Sequence, residues 1–162
     1  LINLLSQSGV SITRGKDFLK ISNNIQSSSS WQGVNVKTHE YPGFATDLQA
    51  PMAVFLTQVT GERTIFETIF EARLNYTDDL VKMGANITMW HANKILIKGP
   101  TPLKNRELEG PDIRAGLAYV IAALVANGTS TIDNIYYIDR GDERLEERLQ
   151  RIGANIRRET LS

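Results

Sequence analysis

The sequence predicts an α/β fold with helices buried inside and sheets outside, and two observations predict it. The first is internal repetition, the mark of a stacked supersecondary unit. Gly84-Ala85-Asn86-Ile87 recurs identically as Gly153-Ala154-Asn155-Ile156, and Gly9-Val10-Ser11-Ile12 is a weaker third copy. Asp47-Leu48-Gln49-Ala50 is matched by Asp112-Ile113-Arg114-Ala115, while Arg73 and Arg140 each lie twelve residues after a glycine, Gly61 and Gly128. The offset between copies drifts from 65 to 69, which small insertions explain. The second observation is one helix per unit with no polar face: Met52, Ala53, Val54, Phe55 and Leu56 in the first, Leu117, Ala118, Val120, Ile121, Ala122, Leu124 and Val125 in the next. A helix that is apolar all round is covered on every side.

Each unit then reads as helix, strand, helix, strand. The buried helices span about 48–59 and 113–126, and Gly61 and Gly128 stand where a C-terminal cap or turn is needed. Thr64 to Ile69 and Thr131 to Tyr136 carry the β-branched residues and partial alternation of strands. An amphipathic helix follows. Its stripe is Tyr76, Leu80 and Met83 in one copy and Leu145, Leu149 and Ile152 in the other, with Leu1 and Leu5 fitting the same pattern before Gly9. A glycine at the left-handed capping position and then a strand are expected after each such helix. A hairpin comes next, with arms Ile87 to Trp90 and Lys94 to Lys98 around His91-Ala92-Asn93. Strands such as Lys94-Ile95-Leu96-Ile97-Lys98 suit a sheet with one face in water. The run Ser27 to Ser30 is expected to be a flexible surface loop.

Composition bounds the function. The 162 residues carry 18 Lys+Arg against 18 Asp+Glu, so no bulk field draws in nucleic acid or anionic lipid, and anions must be held by a few placed arginines. There is no cysteine, which excludes disulfides, thiolate metal sites and a thiol nucleophile in this chain. No apolar run approaches a membrane span, and a cytoplasmic protein is the default expectation. Leu1-Ile2-Asn3-Leu4-Leu5 has neither an initiator Met nor a capping residue and reads as the middle of a helix, which points to a fragment.

Four segments stand out as carriers of chemistry. In Tyr41-Pro42-Gly43-Phe44-Ala45-Thr46-Asp47-Leu48-Gln49-Ala50, a turn enters a buried helix, and Asp47, like Asp112 in the other copy, is expected to cap it. Pro51 and Gly116, each four residues after the aspartate, loosen that helix entrance in both copies and leave N–H groups for a ligand. In Thr68-Ile69-Phe70-Glu71-Ala72-Arg73, Phe70 alone suggests packing and Arg73 a surface ion pair. Gly110-Pro111-Asp112-Ile113-Arg114 puts an arginine in the first turn of a helix, where the dipole disfavours a cation. It therefore needs an anion, supplied by Asp112 or by a bound phosphate. Ile138-Asp139-Arg140-Gly141-Asp142-Glu143-Arg144 joins a strand to a helix and is equally readable as a capped helix start. His39 and His91 lack partners at metal-ligand spacing and are expected in exposed turns.

Taken in this order and spacing, the runs YPGFATDLQA, TIFETIFEARL, MGANI, PDIRA and IDRGDERLEERLQRIGANI resemble the UDP-N-acetylglucosamine enolpyruvyl transferases (1-carboxyvinyltransferases), over nearly the whole chain. The enolpyruvylshikimate-phosphate synthases share the fold and are the alternative enzyme. The resemblance implies an inside-out α/β barrel of βαβαββ units. The chain is then one partial domain, with 1–44 the tail of one unit plus a hairpin and linker, 45–109 a second unit and 110–162 a truncated third. It implies transfer of the enolpyruvyl group of phosphoenolpyruvate to the 3′-hydroxyl of UDP-N-acetylglucosamine with release of phosphate, in early peptidoglycan synthesis, without cofactor or metal.

By the same resemblance Asp47 is the candidate general base, Ile69 and Phe70 lie against the nucleotide-sugar, and Arg114 and Arg140 contact phosphoenolpyruvate. Asp112 orients Arg114, and Arg73 is a supporting residue. The partners implied are the two small-molecule substrates and the missing half of the enzyme, which holds the family's mobile proton-donating loop; nucleic acid and membrane are not among them. Ala45, Tyr137 and Asp142 depart from the usual Pro, His and aromatic, and a carboxylate two residues from Arg140 is expected to weaken its hold on phosphoenolpyruvate. With the catalytic half absent, a non-catalytic binding or interaction module is the reading from a different class.

Overall fold

The structure, a computed structural model, describes residues 1–22, 31–109 and 113–159, with the side chains of 113 and 114 excepted. The serine run and Asp112 therefore lie outside the described residues, as does the side chain of Arg114. The first elements are helix α1 (Ile2–Gln7) and an antiparallel hairpin of β1 (Ser11–Arg14) and β2 (Leu19–Ser22). Then come β3 (Val36–Lys37), a 3-10 turn at Thr46–Leu48, helix α2 (Gln49–Gln58) and β4 (Gly61–Phe66). Helix α3 (Thr77–Lys82) leads to the hairpin of β5 (Asn86–His91) and β6 (Lys94–Gly99). The second unit holds β7 (Glu107–Glu109), α4 (Ile113–Val125), β8 (Thr131–Asp133), α5 (Tyr136–Gly141) and α6 (Leu145–Gln150).

Four strands form one sheet in the order β3-β4-β6-β5, with β3 parallel to β4 and the other pairs antiparallel. β7 and β8 pair in parallel as a separate ribbon. Along β6 the alternation behaves as its residue types require: Ile95 and Ile97 are fully buried while Lys98 faces water. α2 packs against β4, β6 and α4, and Met52, Ala53, Val54 and Leu56 are essentially without exposed surface. A helix that lacks a polar face is thus enclosed by a sheet and a second helix, as its composition demands. Tyr76, Leu80 and Met83 of the α3 stripe join the same core, and Tyr119 of α4 donates its hydroxyl to Asp79 of α3 at 2.5 Å, tying the two units together.

Several expectations need correction. The strand read as Thr64 to Ile69 ends at Phe66, because Glu67 turns its carboxylate onto the N–H groups of Ile69 and Phe70 and takes them out of the ladder. The strand read as Thr131 to Tyr136 ends at Asp133; Asn134 adopts a left-handed backbone (φ 53°), which asparagine tolerates, and Tyr136 opens a helix instead. The C-terminal end of α4 is not enclosed, since Leu124 and Val125 are partly exposed. Ile152 leaves its stripe altogether and is 81% exposed. No strand follows Gly153 among the described residues, although Gly9, Gly84 and Gly153 all take the positive φ expected of the capping position.

One glycine is needed for close approach. A Cβ on Gly99, at the end of β6, would stand 2.3 Å from the carbonyl oxygen of Val59 and 2.6 Å from that of Leu56, and neither backbone atom can rotate away. Gly99→Ala is therefore expected to lower the unfolding free energy by about 1–3 kcal/mol, the usual cost of overpacking. Urea unfolding of the full-length protein measures it, and an unchanged midpoint would contradict the close packing of β6 on α2.

Candidate functional site at the entrance of helix α2

Two chain segments build the site: residues 38–49, which lead into α2, and residues 67–76, which lead from β4 to α3. Asp47 sits in the 3-10 turn one residue before Leu48, the N-cap of α2, and that cap makes no side-chain bond. The carboxylate of Asp47 is engaged by an arginine. The Asp47 side chain is 69% exposed, and Oδ1 accepts from Nη1 of Arg73 at 3.1 Å. The same Nη1 donates to the Thr46 hydroxyl at 2.9 Å, and the guanidinium carbon lies 4.4 Å from the centre of the Phe70 ring.

Arg73 is the reverse of a surface arginine. Only 9% of its side chain is exposed, so the expected ion pair exists but one partner is buried. Nη2 is buried without a hydrogen-bond partner among the described residues. A desolvated donor of this kind is costly unless an acceptor reaches it. Its backbone is fixed as well. The Arg73 carbonyl accepts from Nε2 of Gln49 at 3.1 Å, and Oε1 of Gln49 accepts from the Tyr76 hydroxyl at 2.8 Å. Burial, followed by the nearby negative charge of Glu67 and the Tyr119 hydroxyl, drives the Tyr76 phenol far above its usual range. Tyr76 therefore remains a proton donor.

Beneath this pair lies Glu67, which the sequence reading passed over. It is 1% exposed, and its carboxylate accepts four hydrogen bonds. Oε1 takes the Thr38 hydroxyl at 2.9 Å and the N–H groups of Ile69 and Phe70 at 2.8 and 3.2 Å. Oε2 takes the Thr46 hydroxyl at 2.7 Å. Burial pushes the Glu67 carboxyl up, but these hydrogen bonds from Thr46, Ile69, Thr38 and Phe70 outweigh it and hold the group below the ordinary carboxylate range. The available signal was an acid inside the otherwise apolar and β-branched run Thr64-Ile65-Phe66-Glu67-Thr68-Ile69.

The structure brings Asp47, Phe70 and Arg73 together and leaves Ile69 half-buried beside them. Phe70 is not packed inside, as its type suggested, but 48% exposed with Arg73 stacked on it. Arg114 belongs to the first turn of α4 by its backbone. Arg140 is exposed on α5, its guanidinium 5.9 Å from the centre of the Tyr136 ring. The segment around it is a helix of its own and not a strand-to-helix joint. α5 rests on the start of α4, where a Cβ on Gly116 would meet Ile138 at 2.5 Å. Among the described residues Arg140 makes no ion pair with Asp142, and Asp139 is held by two bonds from Arg158. His39 and His91 are both exposed, His39 in a turn and His91 at the end of β5. Among the described residues no three or more His, Asp or Glu side chains converge to hold a metal, and no helix is long and apolar enough to cross a membrane.

The repeated α/β unit thus gathers an exposed carboxylate and a buried arginine at a helix entrance. The chain belongs to the EPSP synthase (3-phosphoshikimate 1-carboxyvinyltransferase) family, whose model matches residues 1–149. It is 42% identical over 157 residues to a UDP-N-acetylglucosamine 1-carboxyvinyltransferase 2 of Clostridium acetobutylicum, covering 97% of this chain and 36% of that protein. Among solved structures it is similar to the enolpyruvyl transferase NikO of Streptomyces tendae, with a TM-score of 0.87 and 25% identity over 99% of this chain and 36% of that one. An EPSP synthase of Acinetobacter baumannii, at a TM-score of 0.71 and 16% identity over 98% of this chain and 36% of that one, shares the fold. The chain spans about a third of the length of the curated relatives it matches.

Because the folded-state pKa of Glu67 is depressed, its hydrogen bonds stabilise the fold fully above the unfolded-state value and lose that contribution as pH falls through the folded one. Glu67→Gln is expected to cost about 1.5–3 kcal/mol at neutral pH, the range for hydrogen bonds to a charged group. The gap to wild type should close below the ordinary carboxylate range, where Glu67 is itself neutral. Urea titrations at neutral and acid pH measure this, and a gap independent of pH would show that the charge adds nothing.

Proposed function

We propose that the full-length protein transfers the enolpyruvyl group of phosphoenolpyruvate to the 3′-hydroxyl of UDP-N-acetylglucosamine, releasing phosphate, in early peptidoglycan synthesis. The observation that carries this reading is the Asp47–Arg73 pair: a carboxylate presented to solvent at a helix entrance, backed by a buried guanidinium with one donor unused. The relatives at about 40% identity bear the name of that activity. Asp47 takes the proton of the attacking hydroxyl, for which an exposed and oriented carboxylate is suited. Ile69 and the partly exposed Phe70 meet the nucleotide-sugar. Arg114 and Arg140 hold phosphoenolpyruvate, a task for the planar fork of arginine. Asp112 orients Arg114, and Arg73 holds Asp47.

In this reading α2 and α4 form the interior of an inside-out barrel, residues 1–162 are part of one domain, and the rest of the enzyme closes the cleft. The family's mobile loop belongs to that remainder, so this stretch by itself releases no phosphate. The substrates are the two small molecules, with no nucleic acid or membrane involved, and the reaction belongs in the cytoplasm, where both are used.

Phosphate release by the full-length protein from phosphoenolpyruvate with UDP-N-acetylglucosamine tests the activity, with shikimate 3-phosphate as the competing acceptor. Turnover with the shikimate compound alone would assign the related synthase activity, and turnover with neither acceptor would leave a non-catalytic module. Asp47→Asn is expected to lower kcat by about 10²–10⁴-fold, the range for general acid–base catalysis. Near-normal turnover would return Asp47 to a structural role. Arg140→Lys should raise the KM for phosphoenolpyruvate, because a point charge does not replace the bidentate fork. An unchanged KM would remove Arg140 from the site.

A further inference from the structure

We infer that Glu67 is a positioning residue of the site, one carboxylate that sets both the Asp47–Arg73 pair and the Ile69–Phe70 backbone. The inference rests on the function proposed above for what Asp47 does, and on the geometry alone for what Glu67 holds.

The two oxygens of Glu67 address two different parts of the site. Oε1 accepts the consecutive N–H groups of Ile69 and Phe70, so it fixes the path of the chain where the Phe70 ring is offered to Arg73. Oε2 accepts the hydrogen of Thr46. With its hydrogen committed to Glu67, the Thr46 oxygen turns its lone pairs outward and accepts Nη1 of Arg73, the nitrogen that also holds Asp47. The order Glu67, Thr46, Arg73, Asp47 therefore has a fixed polarity: carboxylate, hydroxyl, guanidinium, carboxylate. A hydroxyl donates only one hydrogen, so the charge of Glu67 decides which way Thr46 faces.

Glutamine in place of Glu67 separates charge from shape. Two backbone N–H groups converge on Oε1 and cannot turn round, so an amide must keep its oxygen there and put its NH2 toward Thr46. The clamp on residues 69 and 70 survives. The Thr46 hydroxyl becomes an acceptor of the new amide and is no longer obliged to face Arg73. Buried neighbours that act as one network give non-additive effects, which is the signature to look for.

The experiment uses the full-length protein with Glu67→Gln, Thr46→Val, the double variant and Glu67→Ala. Amide hydrogen exchange at Ile69 and Phe70 reads the clamp whether or not the protein turns over. Glu67→Ala should lose the protection of both amides and Glu67→Gln should keep it. Unchanged exchange in Glu67→Ala would overturn the clamp. Phosphate release reads the second half. Glu67→Gln and Thr46→Val should each lower kcat about tenfold or more with the KM for phosphoenolpyruvate little changed, and the double variant should be no worse than either alone. Multiplied losses, or kcat at the wild-type value in folded Glu67→Gln, would reduce Glu67 to a structural residue and overturn the positioning role. A wild-type protein without turnover would defeat the proposed function and the positioning role with it, while the exchange result would still decide the clamp.

Discussion

A single buried carboxylate is the constraint on which the site depends. Glu67 is charged where burial opposes charge, and only donors aimed at it make that state tolerable. Those donors come from three places in the chain: Thr38 after β3, Thr46 before α2, and the backbone just beyond β4. Once they converge, little freedom remains. β4 must stop at Phe66, the entrance of α2 must lie over the end of that strand, and Arg73 is delivered to Asp47. The parallel pairing of β3 with β4 supports the same geometry. It carries Thr38 alongside Phe66 and Thr68, and the Thr68 N–H donates to the Thr38 hydroxyl at 2.8 Å.

Much of the architecture was legible in the sequence because burial leaves a pattern. The enclosed α2 follows from its lack of a polar face, the stripe of α3 from its spacing, and the β5–β6 hairpin from its alternation. The glycines after α1, α3 and α6 take the backbone conformation that their recurrence implied. Failures occurred where one side chain overrides a local preference. Thr64 to Ile69 looks like one strand until Glu67 claims two amides, and Thr131 to Tyr136 looks like another until Asn134 bends it. Ile152 fits a helical stripe by spacing, yet its helix ends before it and leaves it in water. Within the site, Asp47, Phe70 and Arg73 were reached through a resemblance. Glu67, Thr46 and Gln49 were not, because partners 21 to 29 residues away in sequence leave no periodic trace.

The repeat also shows how one pattern can end in two structures. Arg73 and Arg140 hold equivalent positions after Gly61 and Gly128, yet one lies buried in a turn and the other exposed on a helix. The cause is the residues before them. In the first copy the carboxylate of Glu67 organises a turn around residues 69 and 70, and helix formation is delayed to Thr77. In the second, the left-handed Asn134 leads directly into α5, whose Ile138 seats on Gly116. Repetition set the spacing of the two arginines, and local hydrogen bonding set their surroundings.

In the proposed function a chain with no net charge meets an anion through individual arginines, and their surroundings differ. Several of the arginines whose contacts are described already have an acid. Arg158 is shared between Asp139 and Glu146, Arg144 grips Glu147, and Arg157 grips Glu159. Arg63 is turned onto the carbonyls of Gly33 and Glu62. Two differ. Among the described residues Arg73 has an acid on one nitrogen and a buried donor without a partner on the other, and Arg140 has the face of Tyr136. Arg14 and Arg106, by comparison, are turned to neutral acceptors, the Asn3 side chain and the Lys82 carbonyl. With no net charge, anion binding of the kind proposed rests on individually placed arginines and not on an excess of positive charge.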